Sequence, residues 1–82
     1  MNHYEYRVCQ VQQGRVTFVN SQWQGSIPLE KVTSGQVPLE EGLATCMLEW
    51  EYLQAAGAHG WELVCVVPSG ELRLLYLRRE TN

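Results

Sequence analysis

The sequence contains no aspartate and little positive charge. All nine acidic residues are glutamates, and only six residues are Lys or Arg, which leaves a net charge of −3. Nucleic-acid binding depends mainly on basic side chains that neutralise phosphates. We therefore expect no nucleic-acid partner.

Cysteines and long hydrophobic runs are also scarce. The three cysteines, Cys9, Cys46 and Cys65, are odd in number and form no C-x-x-C pair, whereas a disulfide scaffold requires an even and denser set. No apolar run approaches the roughly 20 residues that cross a bilayer, and the N-terminus lacks the pattern of a signal peptide. We expect a protein of a reducing compartment, the cytoplasm, with no membrane partner.

Residues suited to catalysis or metal binding are few and scattered. A metal site needs three or four converging ligands, but His3 and His59 have no partner at helical spacing. Cys65 and His59 would be a candidate thiolate and base, yet a nucleophilic thiol needs exposure and a positive potential, and Cys65 lies in an apolar strand. We expect structural cysteines and no catalytic, metal or cofactor site, and a Cys-dependent enzyme is the remotest hypothesis.

The apolar residues that are present suffice for one small core. The chain has 82 residues, of which 45% are hydrophobic, so residues 1–82 are expected to form a single domain. A domain of this size buries only roughly 60% of its unfolded surface. Such domains are marginally stable unless a disulfide, a metal or a partner subunit contributes.

Four segments have the composition of β-strands. Residues 4–11 and 15–20 flank a short glycine turn and predict a hairpin. Residues 61–67 form a nearly continuous apolar run, which is typical of a buried strand. A Pro-Ser-Gly turn then leads into a last strand over residues 71–78.

One amphipathic helix is predicted between the two hairpins. Pro38, Glu40 and Glu41 suit its first turn, and apolar side chains then recur at alternating spacings of four and three. This stripe consists of Leu39, Leu43, Cys46, Trp50, Leu53 and Gly57, with Met47 and Ala56 beside it. Gly57 is expected to end the helix in the left-handed conformation, and Gly60 to close the following turn.

These elements predict an α+β fold of the order β-β-α-β-β, a four-stranded antiparallel sheet with one helix packed on one face. The expected spatial order of the strands is 2-1-3-4, because the third strand can then pair antiparallel beside the first. A third strand parallel to the second is the alternative, and it requires a right-handed crossover.

Residues 21–37 are polar and rich in glycine and predict a loop with a short extended segment at 27–32. Trp23 is the notable residue of this loop. Its indole either anchors the loop on the sheet or contacts a partner.

Residues 53–64, LQAAGAHGWELV, resemble the hallmark of a family of small bacterial proteins called domain of unknown function 4177. In that family a helix ends in Leu-Gly-x-x-Gly and a Trp-Glu-Leu-Val strand follows. Residues 4–8 and 76–79 are similar to the family's first and last strands. The chain departs from the pattern at His59, where the family has an acidic or amide residue, and at Ala56, where it has leucine. The resemblance implies the fold, and the family has no assigned activity.

Strand alternation predicts an apolar patch on the sheet face opposite the helix. With Trp61, Leu63 and Tyr76 placed against the helix, the opposite face is expected to present an interface formed by Val64, Val66, Leu75 and Leu77. A solvated face would normally be polar throughout, and a twofold dimer is the commonest way to cover such a patch.

The sequence therefore favours a non-catalytic interaction or assembly module that acts as a homo-oligomer, with a further protein partner left open. The alternative is a small-molecule binding domain with a pocket between the helix and residues 21–37.

Overall fold

The computed structural model describes residues 2–81 and confirms the α+β class with an antiparallel sheet. The described part of the chain contains five strands and three helices. In chain order they are β1 His3–Gln12, β2 Arg15–Val19, β3 Gln22–Trp23, α1 Leu29–Thr33, α2 Leu39–Ala44, α3 Glu49–Ala58, β4 Glu62–Ser69 and β5 Leu72–Thr81. None of these helices has the length and apolar character needed to cross a membrane.

The strand order is β3-β2-β1-β5-β4, so the second half of the predicted order is wrong. The last strand, β5, takes the place beside β1 that was expected for residues 61–67. β1 and β5 pair from His3 with Thr81 to Val11 with Arg73 and form the long central pair of the sheet. β4 is left at the edge.

The reason for this order is the connection between β2 and α3, which brings the chain back to the Gly14 end of the sheet. The Val16 amide donates to the Met47 carbonyl at 2.9 Å, and the Glu49 amide donates to the Gly14 carbonyl at 2.9 Å. α3 therefore starts beside the β1–β2 turn and runs to the opposite end. β4 starts at that opposite end and runs parallel to β1, so only β5 can pair antiparallel with β1.

The predicted single helix is divided into α2 and α3. The Thr45 hydroxyl donates to the Gly42 carbonyl at 2.6 Å and ends α2, and Leu48 is extended, with φ −62° and ψ 146°. The extended segment forms its hydrogen bonds with β2 instead of continuing the helix. As a result Trp50, which was expected in the apolar stripe, is 64% exposed.

Residues 21–37 contain β3 and α1 in place of the predicted loop and extended segment. Trp23 lies on β3 and is half-buried. Its indole N–H donates to the Ile27 carbonyl at 2.8 Å, and its ring meets Phe18 edge-on at a centroid distance of 5.5 Å. Trp23 thus anchors this connection at the edge of the sheet.

The core lies between α3 and the sheet face that was expected to point away from the helix. We call this covered side the helix face and the other side the open face. The buried cluster consists of Cys9, Val11, Val16, Ala56, Trp61, Leu75 and Leu77. Leu75 and Leu77 are 0% and 1% exposed, so their prediction as interface residues is wrong.

The faces are exchanged because the helix face accommodates its charges within the domain. The Arg7 guanidinium lies 4.1 Å from the centroid of the Trp61 ring and donates to the Tyr52 hydroxyl at 2.8 Å. Arg79 lies 4.6 Å from the same ring and pairs with Glu5 at 2.6 Å. Such cation–π contacts allow arginine to pack against apolar surface, whereas the tyrosines of the open face keep their hydroxyls near water.

α3 ends in a Schellman motif that is built on Gly60 and not on Gly57. The Trp61 amide donates to the Ala56 carbonyl at 3.0 Å, and the Gly60 amide donates to the Gly57 carbonyl at 3.0 Å. Gly60 has φ +89°, the left-handed conformation that glycine adopts at low cost. Gly57 lies inside the helix, so its prediction as the left-handed cap is wrong.

We expect opposite effects from alanine at these two glycines. Gly60→Ala should lower the free energy of unfolding by about 1–2 kcal/mol, because alanine is strained in the left-handed conformation. Gly57→Ala should raise it by up to about 1 kcal/mol through helix propensity, since its Cβ would meet nothing within 4 Å. Urea unfolding of the two variants measures both values, and equal losses at the two positions would contradict the placement of the cap.

Candidate interaction surface

β4 lies at the edge of the sheet, and its aliphatic side chains are exposed. Every residue from Glu62 to Ser69 is exposed, although the sequence predicted a buried strand. The exposed fractions of the large aliphatic side chains are 45% for Leu63, 50% for Val64, 42% for Val66 and 40% for Val67. Among the residues that the structure describes, only β5 pairs with β4. The backbone groups that point away from β5 are therefore available for another strand. We call this side of Glu62–Ser69 the β4 edge.

A β-bulge at Val64 sets the direction of the β4 side chains. Leu63 pairs with Leu77, but Cys65 pairs with Tyr76, so Val64 is an extra residue between them. An inserted residue transfers all following side chains to the other face of the sheet. Cys65 consequently lies on the open face, where simple alternation did not place it.

The other edge of the same sheet is closed. β3 has only two residues, and the remaining outer side of β2 is covered by residues 47–48, where the Val16 amide donates to the Met47 carbonyl at 2.9 Å. Proteins commonly protect edge strands by shortness, charge, proline or a bulge. On the β4 edge, a charge (Glu62) and a proline (Pro68) lie near the two ends. Between them, the bulge at Val64 is the feature that would hinder pairing with another strand.

The open face is also largely apolar. Its apolar side chains, assigned from the strand register, are Tyr4, Tyr6, Val8, Phe18, Cys65, Val67, Leu74 and Tyr76, and Gln10, Glu62, Arg78 and Glu80 lie on the same face. Tyr6 is 61% exposed, and a shallow depression of about 400 Å³ lies between Val8, Phe18 and Leu74. The open face and the β4 edge meet at Cys65 and Val67, whereas Leu63 and Val66 of β4 pair with Leu77 and Leu75 and lie on the helix face.

The cysteines do not form a catalytic arrangement. Burial raises the pKa of the Cys9 thiol and that of the Cys46 thiol, which is opposite to the activation that a nucleophile needs. Cys65 is exposed, against expectation, but it lies on the open face, whereas His59 is at the end of α3 on the helix face. Within residues 2–81, no group of His, Cys or carboxylate side chains converges on a metal site.

A hollow of about 410 Å³ lies where the small-molecule hypothesis expected a pocket. It is lined by Gln24 from the connection and by residues at the start of α3. Its cation, Arg15, donates to the carbonyls of Cys46 at 2.9 Å and Ala44 at 3.4 Å. This guanidinium is thus already engaged by the backbone, and the other polar side chains that line the hollow are Gln24, Thr45, Glu51 and Tyr52.

The sequence identified part of the β4 edge. Val64 and Val66 are exposed, but Val66 pairs with Leu75 and so lies on the helix face and not on the opposite face where it was expected. Leu63, Cys65 and Val67 were assigned to the buried side. A signal for the edge was present in Pro68, because proline cannot donate to a sheet ladder and is confined to edge strands, strand starts and bulges.

No family model, curated protein or solved structure matches this chain. The resemblance of residues 53–64 to domain of unknown function 4177 therefore stays a prediction.

Proposed function

We propose that the protein is a non-catalytic interaction module that acts as a homo-oligomer. The observation that carries the proposal is the β4 edge, an eight-residue strand of which every residue is exposed. Largest apolar patches on monomers measure roughly 300–600 Å² and are often functional. The four exposed aliphatic side chains of β4 are the apolar surface to which we assign this role.

A second copy is the occupant that the properties of the chain favour. A domain of 82 residues has a small core and gains stability from a partner subunit. Closed twofold dimers are the commonest assemblies of such chains. The surface is neutral between Glu62 and Pro68, so two copies meet there without charge repulsion. We also place the protein in the cytoplasm, because the exposed thiol of Cys65 suits a reducing compartment.

Self-association should be visible as a mass that depends on concentration. Light scattering on a size-exclusion column is expected to give the mass of two chains at high micromolar concentration and to approach 9.4 kDa on dilution. Trp50→Glu changes an exposed side chain on α3, and this control variant should show the same dependence of mass on concentration. A mass of one chain at every concentration would overturn the proposal and leave the surface to a different protein.

A further inference from the structure

Resting on the proposed self-association, we infer that two copies pair β4 with β4 in antiparallel orientation, with Cys65 of each copy opposite Cys65 of the other. The pairing joins two five-stranded sheets into one continuous sheet. The binding partner of this edge is thus a second copy of the same strand.

The backbone of β4 favours pairing through the edge over packing through the open face. An unpaired edge presents a row of N–H and C=O groups to any strand that approaches. Eight residues span roughly 27 Å at the usual strand rise and supply on the order of eight hydrogen bonds. This number lies within the range of about 10 ± 5 that specific interfaces contain. The open face offers no comparable set of unpaired backbone groups.

The apolar sequence of β4 sets the register. Residues 63–67 are the uncharged apolar part of the strand, and Cys65 is their central residue. In an antiparallel pair about a twofold axis, these segments overlap completely only if Cys65 lies on the axis. The two Cys65 Cα atoms are then roughly 4.5–5.5 Å apart, within the distance that a disulfide spans.

Charge favours the antiparallel orientation. Glu62 is the charged residue of β4. In the antiparallel pair the two copies of Glu62 lie roughly 20 Å apart along the strands, well beyond the Debye length of about 8 Å at physiological salt. A parallel pair would place them side by side. Each Glu62 also stays free to bind Arg78 of its own chain, which it contacts at 2.5 Å.

The expected affinity is modest. A two-strand contact is close to the lower limit of roughly 1,000 Å² for specific interfaces, and the bulge at Val64 interrupts regular pairing on that edge. We therefore expect a dissociation constant in the micromolar range.

Cross-linking tests whether the two Cys65 side chains meet in the dimer. Copper–phenanthroline oxidation in air, at a concentration where light scattering shows a dimer, should yield a covalent dimer whose disulfide joins Cys65 to Cys65 in mass spectrometry. Cys9 and Cys46 are buried and should remain reduced. Cys65→Ser should abolish the cross-link and leave the mass of the non-covalent dimer unchanged.

Two lysine substitutions distinguish the β4 edge from the open face. Val66→Lys places a charge on the edge and should weaken dimerisation, and slow cross-linking, at least tenfold. Tyr6→Lys places the same charge on the open face, at a side chain that is 61% exposed, and should leave both unchanged. Circular dichroism verifies that each variant is folded.

The outcomes separate the inference from the proposed function. A dimer that Tyr6→Lys dissociates and Val66→Lys does not, or one that gives no Cys65 cross-link, overturns edge pairing while self-association stands. A monomer at every concentration overturns both.

Discussion

Leu77→Ala is expected to lower the free energy of unfolding by about 3 kcal/mol, the usual loss for a leucine truncated in a core. Leu77 is 1% exposed and belongs to the buried cluster under α3. Leu63, its partner in the β4–β5 register, is 45% exposed. Leu63→Ala should therefore cost about 1 kcal/mol or less, because the same atoms leave a half-solvated site.

Urea unfolding at a protein concentration far below the proposed dissociation constant measures the two leucine variants without a contribution from self-association. The pair is informative because the residues are identical and face each other in the sheet. Equal losses, or a larger loss at Leu63, would contradict the placement of Leu77 in the buried centre of the helix face and of Leu63 at its exposed edge.

Trp61→Ala should be at least as severe, at about 3–5 kcal/mol. The ring is 8% exposed and lies against the guanidinium groups of Arg7 and Arg79. Its removal leaves a cavity and takes away the aromatic surface on which both cations pack. Trp50→Ala is the control, because Trp50 is 64% exposed, and its loss should stay within about 0.5 kcal/mol.

Thermal unfolding followed by circular dichroism measures the tryptophan variants without relying on tryptophan fluorescence. A loss of about 1 kcal/mol lowers Tm by roughly 4–8 °C in a domain of this size, so Trp61→Ala should melt at least 12 °C lower. Trp61→Phe provides an intermediate case with a smaller decrease, and it keeps the test valid if Trp61→Ala does not fold. A decrease for Trp50→Ala equal to that for Trp61→Ala would show that the ring of Trp61 has no special role.

The sequence predicted the elements of this fold better than their arrangement. Both hairpins lie where the alternation and the glycine turns placed them, because these signals are local. The strand order depends on the contact of Met47 with Val16, which joins residues far apart in the chain. No periodicity encodes that contact, and the apolar stripe through Cys46 and Trp50 concealed the break in the helix.

The exchange of the two sheet faces has a separate physical cause. Charged residues are normally expected on the solvated side, but Arg7 and Arg79 pack on Trp61 on the helix face, with the Arg79 side chain still 36% exposed. A period of two also fails once a bulge is present, as at Val64. The sequence therefore showed that β4 is rich in apolar residues, but it could not show which face of the sheet each of their side chains occupies.

The closed β3 edge has a consequence for the size of any assembly. A sheet with two bare edges can add strands at both ends and grow into a filament, whereas a sheet with one bare edge stops at two copies. The short β3 strand and the connection that Trp23 anchors would thus prevent the addition of a further copy at this edge. If two copies pair through β4 as proposed, assembly stops at the dimer, since each copy has one unpaired edge strand of this length.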